Sequence, residues 1–228
     1  MCRLVKISRA AYYKWLNHEP SKRQKVKTIV VDLNAAYISF IPKVFPNAQV
    51  IVDRFHIVNM VNRALNTTRK QLMKKYKHSS REYKVLKSYW RLFLKDSGKL
   101  EATKPMYQIH LGYYETQVNL IHNALELDPA FKETYWTYQQ VLHAVHTRDS
   151  NLLKQTLNDY RPLHNEMDTT ISTLKKNWSA LLNSCRYDYS NGPLEGLNGK
   201  IKKIKKTSYG YRNFDNFKLR IYLECKVA

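Results

Sequence analysis

The sequence predicts an α/β fold in which helix dominates, and three observations carry that prediction. Two β-branched runs, Thr28-Ile29-Val30-Val31 and Gln49-Val50-Ile51-Val52, each lead into an aspartate, Asp32 and Asp53. The stretch between them has room for a helix and a turn, the arrangement of a right-handed β–α–β crossover. From Arg54 to about Arg186 the apolar residues recur at helical spacing. A chain of 228 residues suits one or two domains with a real core.

Residues 1–24 read as a short helical segment unlike the rest. Ile7 to Leu16 forms the helix, with Ser8 as N-cap and His18-Glu19-Pro20-Ser21 as its end. Residues 25–56 hold the β–α–β unit. Its helix is expected from Asn34 to Ile41, stopped near Pro42, and Phe45-Pro46-Asn47-Ala48 turns into the second strand. The unbroken apolar runs suit strands covered on both faces.

Residues 57–188 read as an all-helical insertion with four apolar stripes. These are Ile57, Val61, Leu65 and Leu72; then Leu86, Tyr89, Trp90 and Phe93; then Phe131, Tyr135, Tyr138, Leu142 and Val145; then Met167, Ile171, Leu174, Trp178 and Leu181. Breaks are expected near Ser97-Gly98, Asp128-Pro129 and Tyr160-Arg161-Pro162. Residues 189–228 supply a last helix after Ser190-Asn191, and a tail. Leu194, Leu197, Ile201 and Ile204 give that helix an inward face, with Glu195, Asn198 and Lys202 along the adjacent edge. Gly196 and Gly199 weaken the helix but let a substrate backbone approach closely.

The balance of 39 Lys and Arg against 18 Asp and Glu gives a net charge of +21. An excess of this size implies a polyanionic partner, and nucleic acid fits because neutralised phosphates release counterions. A ribosome-associated or merely very soluble protein is the plain alternative. Cys2, Cys185 and Cys225 are scattered, which indicates neither a zinc site nor a disulfide framework and suits a reducing cytosol. No apolar run approaches membrane-spanning length and no signal-peptide core is present, so a cytoplasmic protein with no membrane partner is expected.

Carboxylates at the C-terminal ends of neighbouring parallel strands face the crevice where open α/β sheets place their sites. Asp32, Asp53 and Glu195 are hard oxygen donors of the kind Mg²⁺ or Mn²⁺ prefers. Two such ions can activate a nucleophile and stabilise a leaving oxygen at a phosphodiester. Lys202, Lys205 and Lys206 would then bind flanking phosphates. Each residue also has a plain role open to it. Asp32 could cap the following helix, and Asp53 could bond locally or pair with Arg54. Glu195 could be a first-turn glutamate favoured by the helix dipole, and the lysines a solvated face. His56, at the head of a helix, reads first as a packed, hydrogen-bonded histidine. No Gly-rich phosphate loop, Gly-x-Ser-x-Gly elbow or His-Glu-x-x-His pair is present.

From about Lys27 to Leu223 the chain resembles the DDE-type insertion-sequence transposases, in the group with a long helical insertion before the catalytic glutamate. The matching stretches are Val31-Asp32-Leu33 with Tyr37, Phe45-Pro46-Asn47-Ala48, and Val52-Asp53-Arg54-Phe55-His56. Further on they are Ser190-Asn191-Gly192, Glu195-Gly196, Asn198, Ile201-Lys202, and Tyr209 through Phe214 with Arg212. The resemblance implies a partial ribonuclease-H-like sheet with Asp32 and Glu195 as second and third catalytic acids and metal ligands. It makes Asp53 and His56 a supporting Asp-x-x-His element, Asn198 a further support, and Arg212 a DNA contact beside the lysines. Mg²⁺ or Mn²⁺ is the implied cofactor, and duplex insertion-sequence ends the implied partner, with a second copy or a full-length transposase as protein partner.

The family's first catalytic aspartate, upstream of the Asp32 region, has no counterpart; the only earlier acid is Glu19. Met1 to Leu16 instead resembles the start of the integrase-like product of the IS-three group. The resemblance therefore implies an N-terminally truncated transposase fused to that start, inactive in cleavage. The alternative is a non-catalytic DNA-binding protein that interferes with a full-length transposase. Asp32 and Glu195 are expected to approach across the sheet end. A sheet of only two strands is expected to be marginal unless helices cover it, with a bare edge on the Asp32 strand.

Overall fold

The computed structural model describes residues 23–225. The helix expected at Ile7–Leu16, with Glu19, lies outside the described residues. The chain divides into two compact units, one ending at Asp188 and the other beginning at Tyr189. The first unit runs β1 (Thr28–Val31), α1 (Ala35–Val44), β2 (Gln49–Val52), α2 (Arg54–Met73), α3 (Arg81–Ser88), α4 (Trp90–Phe93), β3 (Met106–Gln108) and β4 (Tyr113–Glu115). It continues with α5 (Gln117–Leu125), α6 (Pro129–Thr147), α7 (Ser150–Asp159), α8 (Glu166–Lys176) and α9 (Trp178–Arg186). The second unit holds α10 (Gly192–Thr207) and α11 (Phe214–Cys225). No described helix is long and apolar enough to cross a membrane.

β1 and β2 pair in parallel, from Thr28 opposite Gln49 to Val31 opposite Val52. The crossover helix α1 starts where Asn34 accepts the Ala36 N–H at 2.9 Å. It runs past the expected stop, with Pro42 inside it. So close to the end, a missing N–H forfeits one bond, while the Phe45 N–H still reaches the Ile41 carbonyl at 2.8 Å. Ile51 and Val52 are fully buried, but β1 is only half-buried along its length.

The two-stranded sheet does gain helical cover. The Gln49 and Asp53 N–H groups bond back to β1, so the Val50 and Val52 carbonyls face the opposite edge. There, Asn183 Nδ2 donates to Val50 at 2.8 Å and Ser184 Oγ to Val52 at 2.5 Å. Tyr187 OH adds a bond to Gln49 Oε1 at 2.7 Å. Side chains from the end of the insertion thus stand in for a neighbouring strand.

The insertion is organised around α2, which packs on α6 and α8. The Ile57–Leu72 stripe is buried and meets the Phe131–Val145 stripe and Met167, Ile171 and Leu174. Each such side chain contributes about 1.5–3 kcal/mol relative to exposure. The break at Asp128-Pro129 falls at a helix start: Asp128 accepts the Phe131 N–H at 2.9 Å and Pro129 takes the first turn, where its missing N–H costs nothing.

Several expectations need correcting, the first being the Met167–Leu181 stripe, which is divided at Asn177 between α8 and α9. The Leu86–Phe93 stripe is split at Tyr89 into α3 and α4; Leu86 and Phe93 are buried while Trp90 stays partly exposed. The insertion expected to be all-helical also contains an antiparallel ribbon of β3 and β4. In the second unit α10 packs on α11, but only the C-terminal half of its apolar face is covered: Ile204 is buried and Leu194 is 58% exposed.

Candidate functional site

Asp32 does not cap α1, because Asn34 takes that place. Its carboxylate instead pairs with the His56 imidazole, Oδ1 lying 2.8 Å from Nε2, with 51% of the Asp32 side chain and 29% of the His56 side chain exposed. Asp53, at the matching end of β2, is buried and caps α2 by accepting the Phe55 N–H at 3.0 Å. Fixing where α2 starts fixes which way its first turn faces. His56, three residues after the cap, is thereby presented to the end of β1. Phe55 is exposed beside it, its ring edge-on to His56 with centroids 5.6 Å apart.

Arg54 does not pair with Asp53. Its guanidinium donates to the carbonyls of Ser184 at 3.1 Å and Tyr187 at 3.0 Å, and to Asp188 at 3.3 Å. Arg148 binds the same Asp188 carboxylate. A cation in the first turn of a helix opposes the helix dipole. That local conflict in Asp53-Arg54-Phe55-His56 was the signal that Arg54 needed a distant partner, here the negative end of α9.

The donor set near the sheet end is narrow. Of the two strand-end carboxylates, Asp53 is buried and caps α2, and Asp32 is the accessible one, itself paired with an imidazole. Among the described residues, no group of three or more His, Cys, Asp and Glu is arranged to hold a metal ion. The described acids of the first unit therefore do not make up a ligand set for two divalent ions, each of which needs several oxygen donors.

In the second unit, Glu195 stands exposed in the first turn of α10, with exposed Asn198 and Lys202 at the following helical intervals. Lys205 and Lys206 are exposed in the last turn, where positive charge complements the dipole. Arg212 is exposed in the link to α11. A Cβ added at Gly196 or Gly199 would meet nothing within 4 Å. Packing among the described residues of the second unit therefore does not require these glycines, each of which weakens the helix by about 1 kcal/mol relative to alanine.

Comparison with known families is decisive: the model of a family described as Transposase, the ISL3 group of DDE enzymes, matches residues 7–221. The chain belongs to this transposase family. That match takes in most of the first 24 residues as well as both units. This transposase-family chain is 22% identical over 206 residues to the "Transposase for insertion sequence element IS1001" of Bordetella parapertussis, covering 89% of the chain and 48% of that protein. It is 37% identical over 108 residues to a Lactococcus lactis subsp. lactis protein named "ATP-dependent protease", covering 47% of the chain and 35% of that protein. The chain thus spans between about a third and about half of these curated relatives, 35% and 48% of their lengths. No solved structure matches it.

Proposed function

We propose that this chain is a cytoplasmic, DNA-binding portion of an insertion-sequence transposase in which Asp32 and Glu195 hold the places of two of the family's acids of strand cleavage and transfer. The observation that carries this reading is the 2.8 Å approach of His56 Nε2 to the Asp32 carboxylate at the end of β1. It gives the Asp-x-x-His element a physical role: Asp53 sets the helix start, and His56 acts as a positioning residue on the more accessible of the two strand-end carboxylates. DDE transposases work with divalent metal ions, and Mg²⁺ or Mn²⁺ would polarise the phosphodiester and activate the attacking oxygen. Among the described residues the donor set falls short of that chemistry, which supports a protein that binds duplex DNA without cutting it. Such a protein would compete with a full-length transposase for insertion-sequence ends or for its subunits.

The exposed Lys202, Lys205 and Lys206 face supports DNA binding, with Asn198 and Arg212 beside it. The packing-free Gly196 and Gly199 support a close backbone approach. The test is a titration of the purified chain onto duplex DNA at several salt concentrations. Binding should weaken steeply with salt, and changing the three lysines to alanine should lower the slope by about one for each phosphate no longer neutralised. Binding indifferent to both would remove α10 from the DNA face. With Mg²⁺ or Mn²⁺, no nicking of insertion-sequence ends is expected. Metal-dependent nicking abolished by Asp32→Ala would show that the chain does cut DNA, while keeping the role of Asp32.

A further inference from the structure

The β3–β4 ribbon has two unlike faces. Gln108 is buried on the inner one, donating through Nε2 to the carbonyls of Met106 at 2.9 Å and Glu115 at 3.0 Å. Tyr113 lies on that same side, with the Arg81 guanidinium 5.0 Å from its ring centroid. On the outer face Tyr107 stands directly opposite Tyr114, their ring centroids 5.3 Å apart. These two rings are 53% and 70% exposed, and Ile109 at the turn is 81% exposed. The turn closes through Gly112, whose φ of +79° suits glycine. Gly112 and Leu111 both donate to the Gln108 carbonyl at 2.8 Å, so the tip is a built structure.

The charge of the preceding sequence selects the occupant. Residues 70–104, which lead into the ribbon, carry eleven Lys and Arg against three Asp and Glu. The ribbon's own acid, Glu115, is turned aside, its carboxylate accepting from the Thr116 N–H at 3.1 Å and Asn119 Nδ2 at 2.9 Å. Exposed rings following so basic a stretch, on a chain of net charge +21, match nucleic acid, whose bases stack on aromatics while phosphates meet the charge. Bases within a duplex offer no free face to such rings.

We propose that the Tyr107–Tyr114 pair is a stacking platform for unpaired nucleotides. It is a second nucleic-acid site on the insertion, distinct from the α10 lysines, and it rests on the reading of this chain as a DNA-binding protein. Paired tyrosines across a ribbon also stabilise the strands themselves, and the test must separate the two roles. Valine keeps strand preference but has no ring face.

The full 228-residue chain is titrated with a single-stranded oligonucleotide and with a blunt duplex. The double variant Tyr107→Val/Tyr114→Val should weaken single-strand binding by about tenfold or more for each base stack removed, and leave duplex binding unchanged. Tyr107→Phe/Tyr114→Phe should restore single-strand binding. An unchanged single-strand affinity in the valine variant would overturn the proposal, as would a wild-type chain that binds duplex alone. A wild-type chain that binds single strands but no duplex would instead defeat the α10 reading and leave the platform standing. Self-association in sedimentation that the valine variant abolishes, without loss of oligonucleotide binding, would make the ribbon a contact between copies and refute the proposal.

Discussion

Arg54→Met should destabilise the first unit by about 2–3 kcal/mol, and the structure explains why the figure is neither smaller nor larger. A hydrogen bond to a charged group contributes about 1.5–3 kcal/mol net, and a buried carbonyl left bare costs about 1–3 kcal/mol. Arg54 serves the carbonyls of Ser184 and Tyr187, and Ser184 is 2% exposed. The Ser184 carbonyl would therefore be stranded, while water can reach the half-buried Tyr187 and recover part of the loss. The ion pair adds little, because Asp188 is 74% exposed and solvent screens it; exposed pairs are worth about 0–1 kcal/mol. Methionine keeps the packing of the arginine stem, so the measurement isolates the guanidinium. At roughly 2–4 °C per kcal/mol for a chain of this size, the melting midpoint should fall by about 4–12 °C, read by circular dichroism at 222 nm. Asp188→Asn should shift it far less. Equal losses in the two variants would show that the ion pair, and not the carbonyl bonds, holds α2 to α9.

Two further tests read stability against pH. Burial pushes the Tyr135 and Tyr138 hydroxyls up to about 12, while an unfolded tyrosine ionises near 10. Their contribution should be complete below about pH 10 and drain away as pH rises toward the folded value, since the unfolded chain releases those protons first. Tyr138→Phe should flatten that alkaline slope and cost about 1 kcal/mol at neutral pH, through loss of its 2.8 Å bond to the Leu94 carbonyl; an unaltered slope in urea unfolding would refute this. For Asp128, partial burial raises the pKa, but the Phe131 N–H, the Lys75 ammonium and the Ala130 N–H together outweigh it and hold the carboxyl below its ordinary value. That stability is present above about pH 3.9 and lost as pH falls through the lower folded value. Asp128→Ala should cost about 1 kcal/mol at neutral pH as a lost cap, and less in acid; a loss that grows on acidification would contradict it.

What could be read in advance was whatever the chain encodes locally. The β–α–β unit, its two strand-end aspartates and the α2, α6 and α8 stripes follow from periodicity, and the start of α6 from Asp128-Pro129. The ribbon was hidden because three-residue strands are too short for an alternating pattern to register. The split at Asn177 was hidden for the opposite reason: Leu174 and Leu181 are buried on either side of it, so the apolar repeat runs straight through the kink. At the site, residue types identified Asp32 and His56 singly. Their pairing depends on two strand ends lying side by side, and no spacing rule expresses that. Arg54 met a partner 134 positions away, beyond the reach of any local motif.

The bond from Asn183 to Val50 joins positions 133 residues apart, and that distance has a consequence in time. At about 5–20 residues per second, a ribosome needs roughly 7–27 s to pass from one partner to the other. Throughout that interval β2 exists without the side chains that complete it, while helices such as α2 can form far faster than the ribosome adds a residue. The strand's outer carbonyls must be held by water or by a chaperone until α9 has left the exit tunnel. Slow translation of the insertion would lengthen this exposure without changing a single contact in the finished protein. Yield of soluble chain should therefore respond to synonymous codon choice between positions 54 and 183 more than to codon choice after α9.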